Sequence, residues 1–357
     1  MKRKMLFLMS PTTRRDNLGD ELIFLHLARA LEAHGTVLVK GSESHVDGIS
    51  TLGSEWRSRT IRLLARLRGQ AIVNVHTPGA VLWVPEKRVR PPAGRSWIPD
   101  WVKAWVDEQD IALGRSVIPG TDQSWADKFA WLGVRDEASL QALRDHGIRN
   151  VVYLPDLAFL SPIESPSGAD VERSGIALSF RKMAPDIRNS EQYTGALQHA
   201  VGELVGASRL VQRNQALFFH QVHEDASFNH DLAIATGAGE HPTRLTLDSY
   251  LDFYKRFSMV VSNRLHCLLL GAQAGAVPVA LTSQRHTKVV SLFETVGWHK
   301  LIIDIDDPDG PPTRLDEIRE SLDRLQPMVQ SEFNRQRQLG FDVLEQGFRS
   351  FKRQGRS

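Results

Sequence analysis

The chain has a single cysteine, Cys267, among 357 residues. That excludes an internal disulfide and also a thiolate zinc centre. Excess charge is missing too: 44 Lys and Arg stand against 42 Asp and Glu, a formal net charge of +2. Such a balance leaves no global electrostatic footprint for nucleic acid. No apolar run approaches the roughly 18 residues needed to cross a bilayer. The opening, Lys2-Arg3-Lys4 and then Met5-Leu6-Phe7-Leu8-Met9, falls short of a signal-peptide core of about 7–15 apolar residues, and Pro11 follows it. It reads as a first buried strand. The expected location is the cytoplasm, with room for peripheral contact at the inner face of a membrane. Gly-x-Gly-x-x-Gly, P-loop and Gly-x-Ser-x-Gly signatures are all absent.

What is present is an ordinary globular composition, 41% hydrophobic and 24% charged, on a chain long enough for two cores. Short apolar runs alternate with helical patterns. Leu6–Met9, Val37–Val39, Ile72–Val75 and Val151–Leu154 read as strands, and Leu22–Ala33 as a helix. Gly175–Phe180, Leu217–Phe219, Met259–Val261, Val277–Leu281 and Leu301–Ile305 read as strands of a second half. This alternation predicts parallel sheets covered by helices. The Pro-, Ser- and Gly-rich stretch Ser161–Gly168 predicts the boundary. Residues 1–165 and 166–326 are expected to form the two α/β domains, with residues 327–357 as a C-terminal helix. Thr313 reads as a helix cap and Pro327 as an interruption.

Two features of the first half have a plain reading beside a functional one. Trp101 and Trp105 share a helix face, as core residues or as a surface for sugars or lipid. Arg57, Arg59, Arg62, Arg66 and Arg68 form either a solvated helix face or a patch for an anionic membrane or phosphorylated acceptor.

Two strand-to-helix junctions carry the candidate chemistry. In Asn17-Leu18-Gly19-Asp20-Glu21, Gly19 lets backbone approach a ligand, Asn17 can cap, and Asp20 can orient a hydroxyl. A simple cap and turn fits the same residues. In Ser262-Asn263-Arg264-Leu265-His266-Cys267, Asn263 reads as the N-cap, which sets Arg264 and His266 in the first turn. A forked cation, a titratable acid and free N–H groups then make an anion site. A structural arginine and a capped histidine are the alternative. Arg181 and Lys182 follow a strand end, and Lys288 follows the loop after another. His220, His223, Glu224 and Asp225 have metal-like composition, but the His-x-x-His spacing suits a helix and the preceding residues read as strand, so no metal is assigned.

These pieces together resemble the polysaccharide pyruvyl transferases. Asn17-Leu18-Gly19-Asp20 is similar to that family's Asn-x-Gly-Asp opening. Val134-Arg135-Asp136-Glu137-Ala138-Ser139 and Leu154-Pro155-Asp156-Leu157-Ala158-Phe159 resemble its central segments. Ser262-Asn263-Arg264-Leu265-His266, trailed by Ala276-Val277-Pro278, resembles its most specific signature, and Lys288 falls where the family often has a lysine. The order matches over residues 10–300. Asn74-Val75-His76-Thr77 departs by lacking paired glycines, and residues 184–215 match nothing.

The resemblance implies two doubly wound, Rossmann-like domains facing a cleft, as in glycosyltransferase-B folds. It implies a pyruvyl group moved from phosphoenolpyruvate to a sugar of a polysaccharide or its precursor, with residues 1–165 on the acceptor side and 166–326 on the donor side. It implies no cofactor and no metal. His266 and Arg264 are the implied catalytic residues; Asn17, Gly19, Asp20, Arg181, Ser262, Asn263 and Lys288 are the implied substrate contacts. The sugar, its linkage to lipid and any homo-oligomer stay open. A nucleotide-sugar glycosyltransferase and a non-catalytic glycan-binding relative are the competing readings.

Overall fold

The computed structural model describes the chain apart from residues 1–4, 11–15, 41–49, 52–54, 77–107, 118–123, 162–172, 183–189, 208–214, 308–309 and 355–357. Trp101, Trp105 and most of the Ser161–Gly168 stretch lie outside the described residues. The chain divides into two compact units. One comprises Met1–Thr13, Ile23–Leu160 and Leu339–Ser357; the other comprises Arg14–Leu22 and Ser161–Gln338.

The first unit holds β1 (Met5–Met9), β2 (Gly35–Val39), β3 (Ala71–His76), β4 (Glu108–Arg115), β5 (Trp131–Val134) and β6 (Val151–Tyr153). They form one parallel sheet ordered β2-β1-β3-β4-β5-β6. Every residue of β1 is buried, the pattern of a strand covered on both faces. Helix α1 (Leu18–Glu32) follows β1, α2 (Glu55–Leu67) precedes β3, and α3 (Glu137–Asp145) follows β5. The family-like Arg135 and Asp156 meet inside this unit. Arg135, 1% exposed, donates to Asp156 at 2.7 Å and through Nε to Ser116 Oγ at 2.7 Å. Ser116 donates to Asp136, whose other oxygen caps α3 at the Ser139 N–H. Removing either partner of such a buried pair would leave an uncompensated charge, which is strongly destabilising.

The second unit holds β7 (Ile176–Ser179), β8 (Ala216–Phe218), β9 (Gly239–Glu240), β10 (Met259–Ser262), β11 (Val277–Thr282) and β12 (Ile302–Asp304). Their parallel sheet is ordered β12-β11-β10-β7-β8-β9. The order reverses between β7 and β10, which lie side by side. Such a switch point opens a crevice beyond the carboxyl ends of the two strands. The helices among them are α4 (Ser190–Ala207), α5 (Ala226–Thr236), α6 (Tyr250–Tyr254), α7 (Leu265–Gln273), α8 (Thr287–Thr295) and α9 (Gly310–Glu320). Helix α7 lies tight on the sheet because Gly271 has no side chain; a Cβ there would sit 2.5 Å from Val260.

Three expectations need correction. Arg14–Leu22 belongs to the second unit, not to the first with residues 1–165. Leu18 and Leu22 are buried in a cluster with Phe219, Phe253, Tyr254, Val260 and Leu270, and that apolar contact decides the placement. Thr313 lies inside α9, which starts at Gly310. Pro327 does not interrupt the last helix, α10 (Leu322–Gln354), which runs through it. Its missing N–H forfeits one bond near the helix start, and packing outweighs that loss. Phe333 is fully buried, and Phe348 meets Phe7 and Trp131 edge-on at centroid distances of 5.2 Å.

Candidate active site

The loops that leave β7 and β10 at the switch point are held by two asparagines. Asn263 accepts from the Arg181 N–H at 2.8 Å and donates back to the Arg181 carbonyl at 2.9 Å. Asn229, on α5, does the same to Phe180, at 2.8 and 2.9 Å. Two consecutive residues are thus gripped by side-chain amides that imitate a neighbouring strand. The backbone carrying Arg181 is fixed even though β7 has ended. Asn263 is therefore not the N-cap expected from the sequence. Arg264 takes that position with extended backbone (φ −98°, ψ 117°). Ser262 Oγ accepts from the Arg264 N–H at 2.9 Å and donates to the Ser179 carbonyl.

Asn263 also donates to the Tyr193 hydroxyl at 2.8 Å. Tyr193 reaches Thr282 at 3.4 Å, and Thr282 reaches His286 Nδ1 at 2.9 Å. One buried polar chain therefore ties the ends of β7, β10 and β11 together. Lys288 lies half-buried in the first turn of α8, just beyond His286.

Arg264 forms an ion pair with Asp225, whose side chain is 3% exposed. Burial holds the Asp225 carboxyl above the usual carboxylate range; Arg264, and more weakly Arg181, pull the other way. Arg264 Nη2 is buried and makes no hydrogen bond among the described residues. The guanidinium is thus anchored on one side and keeps a donor for an anion. His266, 8% exposed, stands in the first turn of α7. The backbone of Gly19 lies against it: a Cβ on Gly19 would be 2.4 Å from His266 Nδ1. Asn17 accepts from the Gly19 N–H at 3.2 Å and donates to Asp20 at 2.8 Å. A bridge from Asn17 to Val222 and a bond from Leu18 N–H to the Gln221 carbonyl dock this turn. Asn17, Gly19 and Asp20 are therefore brought to the same place as Arg264 and His266, within one unit. Lys182, next to Arg181, is exposed.

Asp225 joins this group through its ion pair with Arg264, a placement the sequence did not suggest; its only signal was its place among His220, His223 and Glu224. Asn229, Tyr193, Thr282 and His286 carried no signal, because their partners are distant in the chain. His220 is buried beside His223, with ring centroids 6.3 Å apart, and burial lowers its pKa. Among the described residues, no three His, Cys, Asp or Glu side chains form a metal-holding group. Cys267 is fully buried, and burial pushes its thiol up to about 11, so it stays protonated at neutral pH.

The first unit has polar groups of its own. His76, at the end of β3, pairs with Asp110 at 3.3 Å. Arg62 and Arg66 turn from α2 onto Glu108, the latter at 2.7 Å, so the arginine run is only partly a solvated face.

The family model described as polysaccharide pyruvyl transferase matches residues 123–285, just under half of the chain. The match spans the Arg135, Asp156, Asp225, Arg264 and His266 segments. No curated protein matches in sequence. Among solved structures, a glycosyltransferase from Rickettsia africae aligns with a TM-score of 0.58 at 8% identity, covering 99% of this chain and 98% of that one. A sucrose-phosphate synthase from Thermosynechococcus elongatus aligns at 0.57 and 10% identity, covering 98% and 99%. A trehalose-phosphate synthase from Burkholderia vietnamiensis aligns at 0.52 and 10%, covering 99% and 100%. The two parallel six-stranded sheets thus have the glycosyltransferase-B fold of these enzymes. No described helix is long and apolar enough to cross a membrane.

Proposed function

We propose that this chain transfers a pyruvyl group from phosphoenolpyruvate to two hydroxyls of a sugar, forming a ketal and releasing phosphate. The observation that carries the reading is the Arg264 guanidinium, anchored by Asp225 and with a buried donor left over, beside His266 at the start of α7. A compact anion bearing carboxylate and phosphate suits a forked cation and a helix N-terminus. Arg181, on its clamped loop, adds a second cation. Lys288 is assigned to the same anion. Ser262 and Asn263 hold the loop, and Asn17 and Asp20 lock the turn that sets Gly19 against His266.

Ketal formation needs a proton on the methylene carbon of the donor. We assign that proton to His266, a good general acid near neutral pH. The adjacent carbon becomes electrophilic, phosphate departs, and two sugar hydroxyls add with loss of their protons. One of those protons restores the acid and the other leaves with phosphate or solvent. The acceptor is assigned to the first unit and the enzyme to the cytoplasm. Neither a metal nor a cofactor is needed for these steps.

The glycosyltransferase-B fold also favours a nucleotide-sugar glycosyltransferase, although fold does not fix function. Phosphate release from phosphoenolpyruvate across a panel of glycosides tests the first reading, and thermal shift with phosphoenolpyruvate against nucleotide sugars tests the second. Acceptor-dependent phosphate release supports pyruvyl transfer. Stabilisation by a nucleotide sugar alone, with no release on any glycoside, overturns it.

A further inference from the structure

Helix α2 leaves three leucines in solvent: Leu63 is 49% exposed, Leu64 44% and Leu67 66%. Half of the large exposed apolar residues among those described therefore sit on one 13-residue helix. Leu63 and Leu67 are four apart and share a stripe, with Leu64 beside it. The opposite side of the helix is committed to the fold. Ala65 is buried, Ile61 packs on Leu6, Leu8 and Ile72, and Arg62 and Arg66 meet Glu108. The other charges of the helix are distributed in a definite way. Arg59, one turn before Leu63, and Arg68, one turn after Leu64, are both exposed. From residue 55 to residue 68 the sequence has five arginines and a single acid, Glu55. Glu108 meets the inward pair, and the exposed leucines are flanked by the exposed Arg59 and Arg68 on a segment whose arginines outnumber its acids.

The geometry points to α2 as a docking surface for an anionic phospholipid bilayer. A helix that buries its apolar stripe at the acyl boundary while arginines meet lipid phosphates has this distribution of side chains. A protein partner that covered three leucines would leave the flanking positive charge without a role. A bilayer with acidic headgroups uses both. The inference stands apart from the transfer reading, since it concerns another surface and needs neither donor nor acceptor.

The test is sedimentation of the full chain with vesicles of phosphatidylcholine mixed with phosphatidylglycerol, against phosphatidylcholine alone. Binding is expected to the mixed vesicles, weakening as salt is raised. Arg59→Gln with Arg68→Gln should lower partitioning about 25-fold, at about fivefold for each arginine near an acidic surface. Arg59→Lys with Arg68→Lys should preserve it. Leu64→Ser with Leu67→Ser should lower it by at least about tenfold. All four positions are exposed, and thermal unfolding of each variant checks that the fold is kept. Failure to sediment with mixed vesicles overturns the inference. So does equal binding to the neutral vesicles, or binding untouched in both the glutamine and serine variants. Self-association that the leucine changes abolish would show instead that the stripe covers a second copy.

Discussion

Gly19→Ala is the sharpest test of the site's geometry. The new Cβ would lie 2.4 Å from His266 Nδ1, 2.5 Å from its Cβ and 2.6 Å from its Cγ. Ordinary contact begins near 3.4 Å, so the two groups must part by about 1 Å. His266 has little room to yield: it is 8% exposed and sits on α7, which is itself seated on β10 through Gly271. Alanine gains roughly 0.5–1 kcal/mol over glycine within a helix. Overpacking costs about 1–3 kcal/mol. The net effect is a loss of about 0–2.5 kcal/mol, a modest fall in Tm with the fold intact. The effect on chemistry is larger, because a displacement of about 1 Å in a catalytic group costs about 10²-fold. Phosphoenolpyruvate-dependent phosphate release should therefore fall about a hundredfold while the protein remains folded. Gly195→Ala on α4 is the control, since a Cβ there meets nothing within 4 Å. Wild-type turnover in a folded Gly19→Ala protein would refute the reasoning that His266 must be held where this turn holds it.

Arg264→Lys keeps the charge but loses the fork, and should weaken phosphoenolpyruvate binding by about 1.5–3 kcal/mol in calorimetry. His266→Ala and His266→Gln should both bind donor and lose about 10²–10⁴-fold in turnover; substantial rescue by Gln would make His266 a ligand and not an acid. In heavy water the product methyl should carry one deuterium by mass spectrometry, and a methyl without deuterium would exclude an exchangeable acid. Asp225 binds its proton more tightly in the folded chain than in the unfolded one, because burial raises its pKa. The stability it contributes is therefore present below its unfolded pKa and lost as pH rises through the folded one. The Tm difference between the wild type and Asp225→Asn should move in favour of the wild type as pH falls, and a pH-independent difference would contradict the assigned shift.

The periodic parts of the fold were legible because burial writes itself into the chain. A central strand of a parallel sheet must be apolar throughout, so Met5–Met9 and Met259–Val261 announce themselves. Strand β4 did not: it opens on Glu108, Gln109 and Asp110, with its apolar core confined to Ile111, Ala112 and Leu113. Glu108 is tolerated there because Arg62, Arg66 and Asn74 meet it, which lowers its pKa against the opposing effect of burial. Such compensation comes from other elements and leaves no local mark. Strand β9 has only two residues, Gly239 and Glu240, too few for any period.

The site was legible in the same uneven way. A glycine before an acidic helix start and an arginine two residues before a histidine after an apolar run mark two strand-to-helix junctions, the kind of position that favours ligand binding in open α/β sheets. What the sequence withheld was that both junctions belong to one unit. Asn17–Glu21 and Asn263–His266 looked like the equivalent parts of two separate sheets. Leu18 and Leu22 join the apolar cluster of the second unit, so the turn between β1 and α1 packs there, with Gly19 against His266 at the start of α7. The same holds for Asn263, whose position after a strand reads as a cap. Its amide instead bonds the backbone of Arg181, 82 residues away. A capping side chain satisfies a helix within its own turn; this one satisfies a distant loop, and the Arg264 N–H is taken instead by Ser262 Oγ.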